Sequence, residues 1–124
     1  MSECVFCKII AKKIDAKIIY EDDLVVAFND IHPLAPVHVL VIPKMHITSV
    51  NDLTELKKGE KVAGRLIMTA KKIAQERGIS QKGYKLLIRT GNDGGQEVPH
   101  LHLHLLGGAR LSENIKPVFN KNSF

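Results

Sequence analysis

The chain contains no tryptophan, only two tyrosines, and aromatic residues make up just 5% of it. A surface that stacks successive bases is built from such rings, so recognition of a nucleic-acid polymer is not expected. Long apolar runs are missing as well. The longest, Val37 to Pro43, is interrupted by His38 and falls far short of the ~20 residues of a membrane-spanning helix. The first residues, with Glu3 and the short apolar pair Val5-Phe6 before Cys7, lack the shape of a secretory signal. A cytoplasmic protein with no membrane partner is therefore expected. Cysteine is scarce too, with Cys4 and Cys7 alone. In a reducing compartment this pair is not read as a structural disulfide, and its C-x-x-C spacing points to a metal or redox role.

What is present fits one globular core. The 124 residues, 44% of them apolar and 25% charged, exclude both a disordered chain and a multi-domain one. Residues 1–110 are read as the single domain and 111–124, where apolar periodicity is lost, as a loosely held C-terminal tail. A net charge of +5 admits an anionic partner. The lysines are scattered or paired, as at Lys57-Lys58 and Lys71-Lys72, which favours a small phosphorylated ligand over a polyanion.

Periodicity gives the elements. Phe6, Ile9, Ile10 and Lys13 recur at helical spacing, so Cys4 to Lys13 is read as a short helix. Lys17 to Tyr20 and Leu24 to Asn29 flank the turn Glu21-Asp22-Asp23 as a hairpin, and Val39 to Ile42 forms a third strand beyond a loop held open by Pro33 and Pro36. Asp52 with Glu55 resembles a capping box for a long helix whose stripe is Val62, Ala63, Leu66, Ile67, Ala70, Ile73 and Ala74, ended by Gly78. Tyr84 to Ile88 and Leu101 to Leu106 complete the set, joined by the turn Gly91-Asn92-Asp93-Gly94-Gly95. With no repeated crossover helices, the expected class is α+β: an antiparallel five-stranded sheet with one long and one short helix, both packed on one face.

The most pointed segment is His100-Leu101-His102-Leu103-His104-Leu105. An extended chain alternates its side chains, so three imidazoles line one face about 7 Å apart and three leucines the other. Half of the six histidines sit here at period two, directly after a glycine-rich turn. Two chemistries compete on the residues alone: a zinc site using two or three of these histidines, or an imidazole that attacks phosphorus and forms a covalent intermediate. Gly91, Gly94 and Gly95 free the backbone to cradle an anion, or simply close a tight hairpin.

The segment His100-Leu101-His102-Leu103-His104-Leu105-Leu106 resembles the signature of the histidine triad (HIT) family, three histidines alternating with apolar residues. Asp30-Ile31-His32-Pro33-Leu34-Ala35-Pro36-Val37-His38, running on through Val39 to Ile47, is similar to a second block of that family, and Gly94-Gly95-Gln96-Glu97-Val98 precedes the triad as in its nucleotide-binding branch. The resemblance implies a homodimer that binds purine nucleoside monophosphates (AMP or GMP) and hydrolyses nucleoside 5′-phosphoramidates. It makes His102 the nucleophile, His104 a phosphate-binding and proton-transferring partner, and His38 the member that completes the relay. It also implies a nucleotide pocket in which Asp30 holds the ribose hydroxyls, beside Asn29. Phe6, Ile9, Phe28, Ile31 and Leu40 sandwich the base there, and Gln96, with the backbone of Glu97 and Val98, lies against the phosphate.

Departures from the pattern are Arg89, where the family usually has Asn; Glu97, where some members have Ser; and a tail without Trp. A cation at position 89 either strengthens anion binding or points away. In zinc-binding branches the metal is held by a cysteine pair, the histidine of P-K-x-H and the first triad histidine, here Cys4, Cys7, His46 and His100; such a Cys₂His₂ set would be a structural zinc site. Beside the phosphoramidase stand two other readings: a non-catalytic nucleotide-binding module and a zinc-dependent nucleotide hydrolase.

Overall fold

Two segments that are apolar at nearly every position, Val25–Asn29 and Val37–Pro43, dictate the architecture, because strands of that kind must be covered on both faces. The computed structural model describes residues 3–119. Its elements are α1 (Val5–Ile10), β1 (Ile18–Glu21), β2 (Val25–Asn29), β3 (Val37–Pro43), α2 (Gly59–Glu76), β4 (Tyr84–Leu87) and β5 (Leu103–Gly107), with a single 3₁₀ turn at Val50–Asp52. The strands form one sheet in the order β1-β2-β3-β5-β4, each pair antiparallel. Among the described residues no helix is long and apolar enough to cross a membrane.

Alternation along β2 and β3 divides the core. Val25, Ala27, Val39 and Val41 pack with Leu101, Leu103 and Leu105 against Val62, Leu66, Ala70, Ile73 and Ala74 of α2. Val26, Phe28, Leu40 and Ile42 turn the other way, onto Phe6 and Ile9 of α1. The two helices therefore cover opposite faces, not one, because β2 and β3 have no polar face to leave in water. Arg65 of α2 ties the first face to the β1–β2 turn through Asp22 at 2.6 Å, and Asp22 in turn accepts the N–H groups of Leu24 and Val25.

Other expectations shift at the element ends. The Asp52–Glu55 pair does not cap α2: Ser49 caps the 3₁₀ turn, and α2 starts at Gly59 after Lys58 in the left-handed region (φ 53°). Gly59 fits because its N–H bonds Thr54 O at 2.7 Å, so close that a Cβ would stand 2.9 Å from that oxygen. Ile67 lies off the buried stripe of α2, half exposed, with Thr69 buried in its place. The last strand begins at Leu103 rather than Leu101. Its ladder with β3 stops where Pro43 offers no N–H to pair, although the chain stays extended enough to keep Leu101 in the α2 core. Residues 111–119 form no helix or strand; the rest of the expected tail, 120–124, lies outside the described residues.

Candidate active site

Burial and backbone contacts fix the protonated nitrogen on two histidines, and with it the chemistry. His102, just before β5, presents Nδ1 to the carbonyl of His100 at 2.7 Å. A carbonyl only accepts, so Nδ1 carries the proton and Nε2 keeps its lone pair. The ring is wedged edge-on against Phe6 and His104, with centroids 5.2 Å and 5.0 Å away. His38 on β3 is buried and accepts the Leu34 N–H at Nδ1 (3.0 Å), which puts its proton on Nε2. That nitrogen faces Nδ1 of His104 at 2.9 Å and Oδ2 of Asp30 at 3.4 Å. Burial lowers the pKa of His38. It is also the largest influence on His104, whose pKa falls to about 4, with the charges of His102, Arg89 and His38 pushing further the same way. Both rings are neutral at physiological pH.

These groups open onto a cavity of about 900 Å³, the size that holds a nucleotide-sized ligand. Its floor carries His38, His102 and His104, and one wall is apolar, from Phe6, Ile9, Phe28 and Leu40. Gly95 of the glycine-rich turn also lines the cavity. Gly94 is required there, since a Cβ would fall 2.3 Å from the carbonyl oxygen of Thr90.

A second cluster adjoins it. The donor atoms of Cys4, Cys7, His46 and His100 all lie within 4.8 Å of one another. His100 Nδ1 stands 3.4 Å and 3.6 Å from the two sulfurs and 3.1 Å from His46 Nδ1, which is 3.2 Å from Cys7 Sγ. A tetrahedral zinc with ordinary bond lengths would separate its ligands by about 3.3 Å (N to N) and about 3.6 Å (N to S). The donor set fits. His100 Nε2–H donates to Pro43 O at 2.9 Å, which turns the Nδ1 lone pair toward the cluster, as an outer partner of a ligating histidine does. The second set of metal-ligating side chains among the described residues, Asp30, His38 and His104, fits less well, because the Leu34 N–H leaves the His38 proton on the very nitrogen that would have to ligate.

The sequence pattern of the HIT domain family matches residues 11–111. The chain belongs to the HIT family. The HIT relatives are close: the purine nucleoside phosphoramidase of Escherichia coli (strain K12) is 50% identical over 109 residues, 88% of this chain and 90% of that protein. The solved HIT family hydrolase of Clostridium thermocellum is 44% identical, superposes with a TM-score of 0.86, and covers 94% of this chain and 99% of its own. The HIT family hydrolase of Legionella pneumophila gives 43% and 0.85, covering 90% and 98%. The chain is a hydrolase of this family.

Most residues expected at the HIT site come together. Phe6, Ile9, Phe28 and Leu40 line the cavity beside Asn29, Asp30 and the 86% exposed Ile31 at its mouth. His38 of β3 and His104 of β5 line it too, with Glu97, Val98 and His102 from the segment leading into β5. Gln96 is the exception. Its amide bonds Gly91 N, Thr48 O and Val98 O, so the side chain holds the glycine-rich turn in shape and is not among the groups lining the cavity. Sequence reading missed the connection from Ile14 to Lys17, which forms part of the wall. It also missed the backbone groups of Leu34, Pro43 and His100 that set the tautomers; no residue type signals a carbonyl or N–H in that role.

Proposed function

We propose that this protein is a purine nucleoside phosphoramidase working through His102. The carrying observation is the His102 Nδ1–H bond to the His100 carbonyl at 2.7 Å, which leaves Nε2 as the ring nitrogen available for attack at the cavity that His102 lines. Nε2 attacks the phosphorus of a nucleoside 5′-phosphoramidate; the P–N bond breaks and the amine leaves with a proton relayed by His104. Water then attacks phosphorus and gives a proton back to His104, the P–Nε2 bond breaks, and the nucleoside monophosphate is released. His38, held by Leu34 and Asp30, orients His104. Asp30 and Asn29 take the ribose, and the apolar wall takes the base.

Zinc is proposed as a structural ion on Cys4, Cys7, His46 and His100. With four protein ligands it would leave no coordination position for water, and it would tie α1 to the chain leading into β5. The zinc-dependent hydrolase is disfavoured by that closed donor set and by the His38 tautomer. A cytoplasmic setting would keep the thiols reduced and able to bind a metal. A homodimer is supported by the free edge of β4 and by exposed Leu86, Ile67 and Met68, apolar side chains that a second copy would cover.

The test is AMP release from adenosine 5′-phosphoramidate by chelator-treated protein, alongside His102→Ala. Turnover that survives chelation and vanishes in the variant supports the proposal. Loss on chelation without unfolding favours the zinc hydrolase, and binding without turnover the non-catalytic module.

A further inference from the structure

Four groups stand in a row across the site: the Leu34 N–H, His38, His104 and Arg89. The contacts between them are Leu34 N to His38 Nδ1 at 3.0 Å, His38 Nε2 to His104 Nδ1 at 2.9 Å, and His104 Nε2 to Arg89 Nη1 at 3.2 Å. Three contacts need three hydrogens. The row holds four, because the amide and the guanidinium always donate and each neutral imidazole carries one proton. One contact must therefore bring two N–H groups face to face. The first is fixed by the backbone and the second is buried between rings. The surplus falls on the third, where His104 Nε2–H and Arg89 Nη1–H converge at the wall of the cavity that both residues line.

Two donors that meet without an acceptor make a receptor for one. Arg89 forms no ion pair with a carboxylate among the described residues, so its charge is not neutralised from within. It extends from the chain just beyond β4, whose Leu87 pairs with His104 in the sheet. Its stem lies along Gly95, where a Cβ would sit 3.5 Å from Arg89 Cδ. The guanidinium is thus held beside His104 at the cavity.

We infer that Arg89 and His104 together grip one non-bridging oxygen of the substrate's phosphoryl group, which makes Arg89 a binding residue for the phosphate and the source of a strong preference for phosphorylated over unphosphorylated nucleosides. The inference rests on the nucleotide reading given above. The oxygen accepts from both N–H groups at once, removing the donor–donor contact as it adds an ion pair. Charge-assisted bonds of this kind are about twice as strong as neutral ones, and a residual cation beside the phosphorus also stabilises the charge that builds there during transfer.

The experiment is calorimetric titration of the full chain with AMP and with adenosine, for wild type, Arg89→Met and Arg89→Lys. The expected result is an AMP affinity at least tenfold weaker in R89M, an adenosine affinity within about twofold of wild type, and partial recovery of AMP binding in R89K, which restores charge without the planar fork. Unchanged adenosine binding also establishes that the variant is folded. AMP affinity equal in wild type and R89M, while wild type binds both ligands, overturns the role of Arg89 and leaves the nucleotide site standing. A wild-type protein that binds neither AMP nor adenosine overturns the nucleotide reading, and this inference with it.

Discussion

His104 gives the sharpest prediction because its burial has a thermodynamic consequence of known sign. The folded chain holds its pKa at about 4, first through desolvation and then through the charges of His102, Arg89 and His38, against the ordinary histidine value of 6.5. Between those values the unfolded state binds a proton that the folded state refuses. Stability from this residue is therefore complete above about pH 6.5 and is lost as pH falls toward 4. The difference of 2.5 units corresponds to about 3 kcal/mol; integrated, about 2 kcal/mol is gone by pH 5. His38, also lowered by burial, adds to the loss in the same direction. The assay is urea denaturation of wild type and His104→Asn at pH 7.5, 6 and 5. Asn keeps an acceptor near Nδ1 and cannot titrate, so the stability gap between the two proteins should shrink by about 2 kcal/mol from pH 7.5 to 5. Parallel curves, with a gap independent of pH, would refute the claim that His104 is held neutral.

Three further outcomes follow from the same structure. Exhaustive chelation, or Cys7→Ser, should lower the melting temperature by several degrees, on the order of 1 kcal/mol or more, without abolishing turnover; an unchanged melting temperature together with less than one zinc per chain by elemental analysis would remove the structural ion. Gly94→Ala should cost about 1–3 kcal/mol and reduce turnover, since the added Cβ meets the Thr90 backbone; a variant as stable and active as wild type would show that the turn gives way freely. Light scattering should return twice the chain mass, and Leu86→Arg at the β4 edge should shift the protein toward monomer; a monomeric wild type contradicts the dimer.

Much of this was legible in the sequence because it is local. The alternation from His100 to Leu105 placed three imidazoles on one side of the chain, and the glycines before it announced a turn. The same reading went wrong on the helices. Val25-Val26-Ala27-Phe28 and Val39-Leu40-Val41-Ile42 have no polar face, the sign of a strand covered on both sides, yet both helices were expected on one side. The Asp52–Glu55 spacing matched a capping box, but the close approach of Thr54 to Gly59 set the start of α2 instead. Of the four candidate zinc ligands, Cys4 and Cys7 were legible from their C-x-x-C spacing, while His46 and His100 were found through family likeness, since they lie far from the pair along the chain. The meeting of Arg89 with His104 is likewise long-range: it follows from the register Leu87 to His104, which no local pattern encodes. Gln96 shows the limit from the other side. It stands where the motif has it, while its three hydrogen bonds go to Gly91 N, Val98 O and, across the chain, Thr48 O.

The central claim is that His102 Nε2 attacks phosphorus. Its most direct test is to mix metal-stripped protein with adenosine 5′-phosphoramidate, quench within a turnover under conditions that preserve phosphorus–nitrogen bonds to imidazole, and map the adduct by peptide mass spectrometry. One adenylyl group is expected on His102, absent from His102→Ala. An adenylyl group on any other residue, or full turnover by His102→Ala, would contradict the claim.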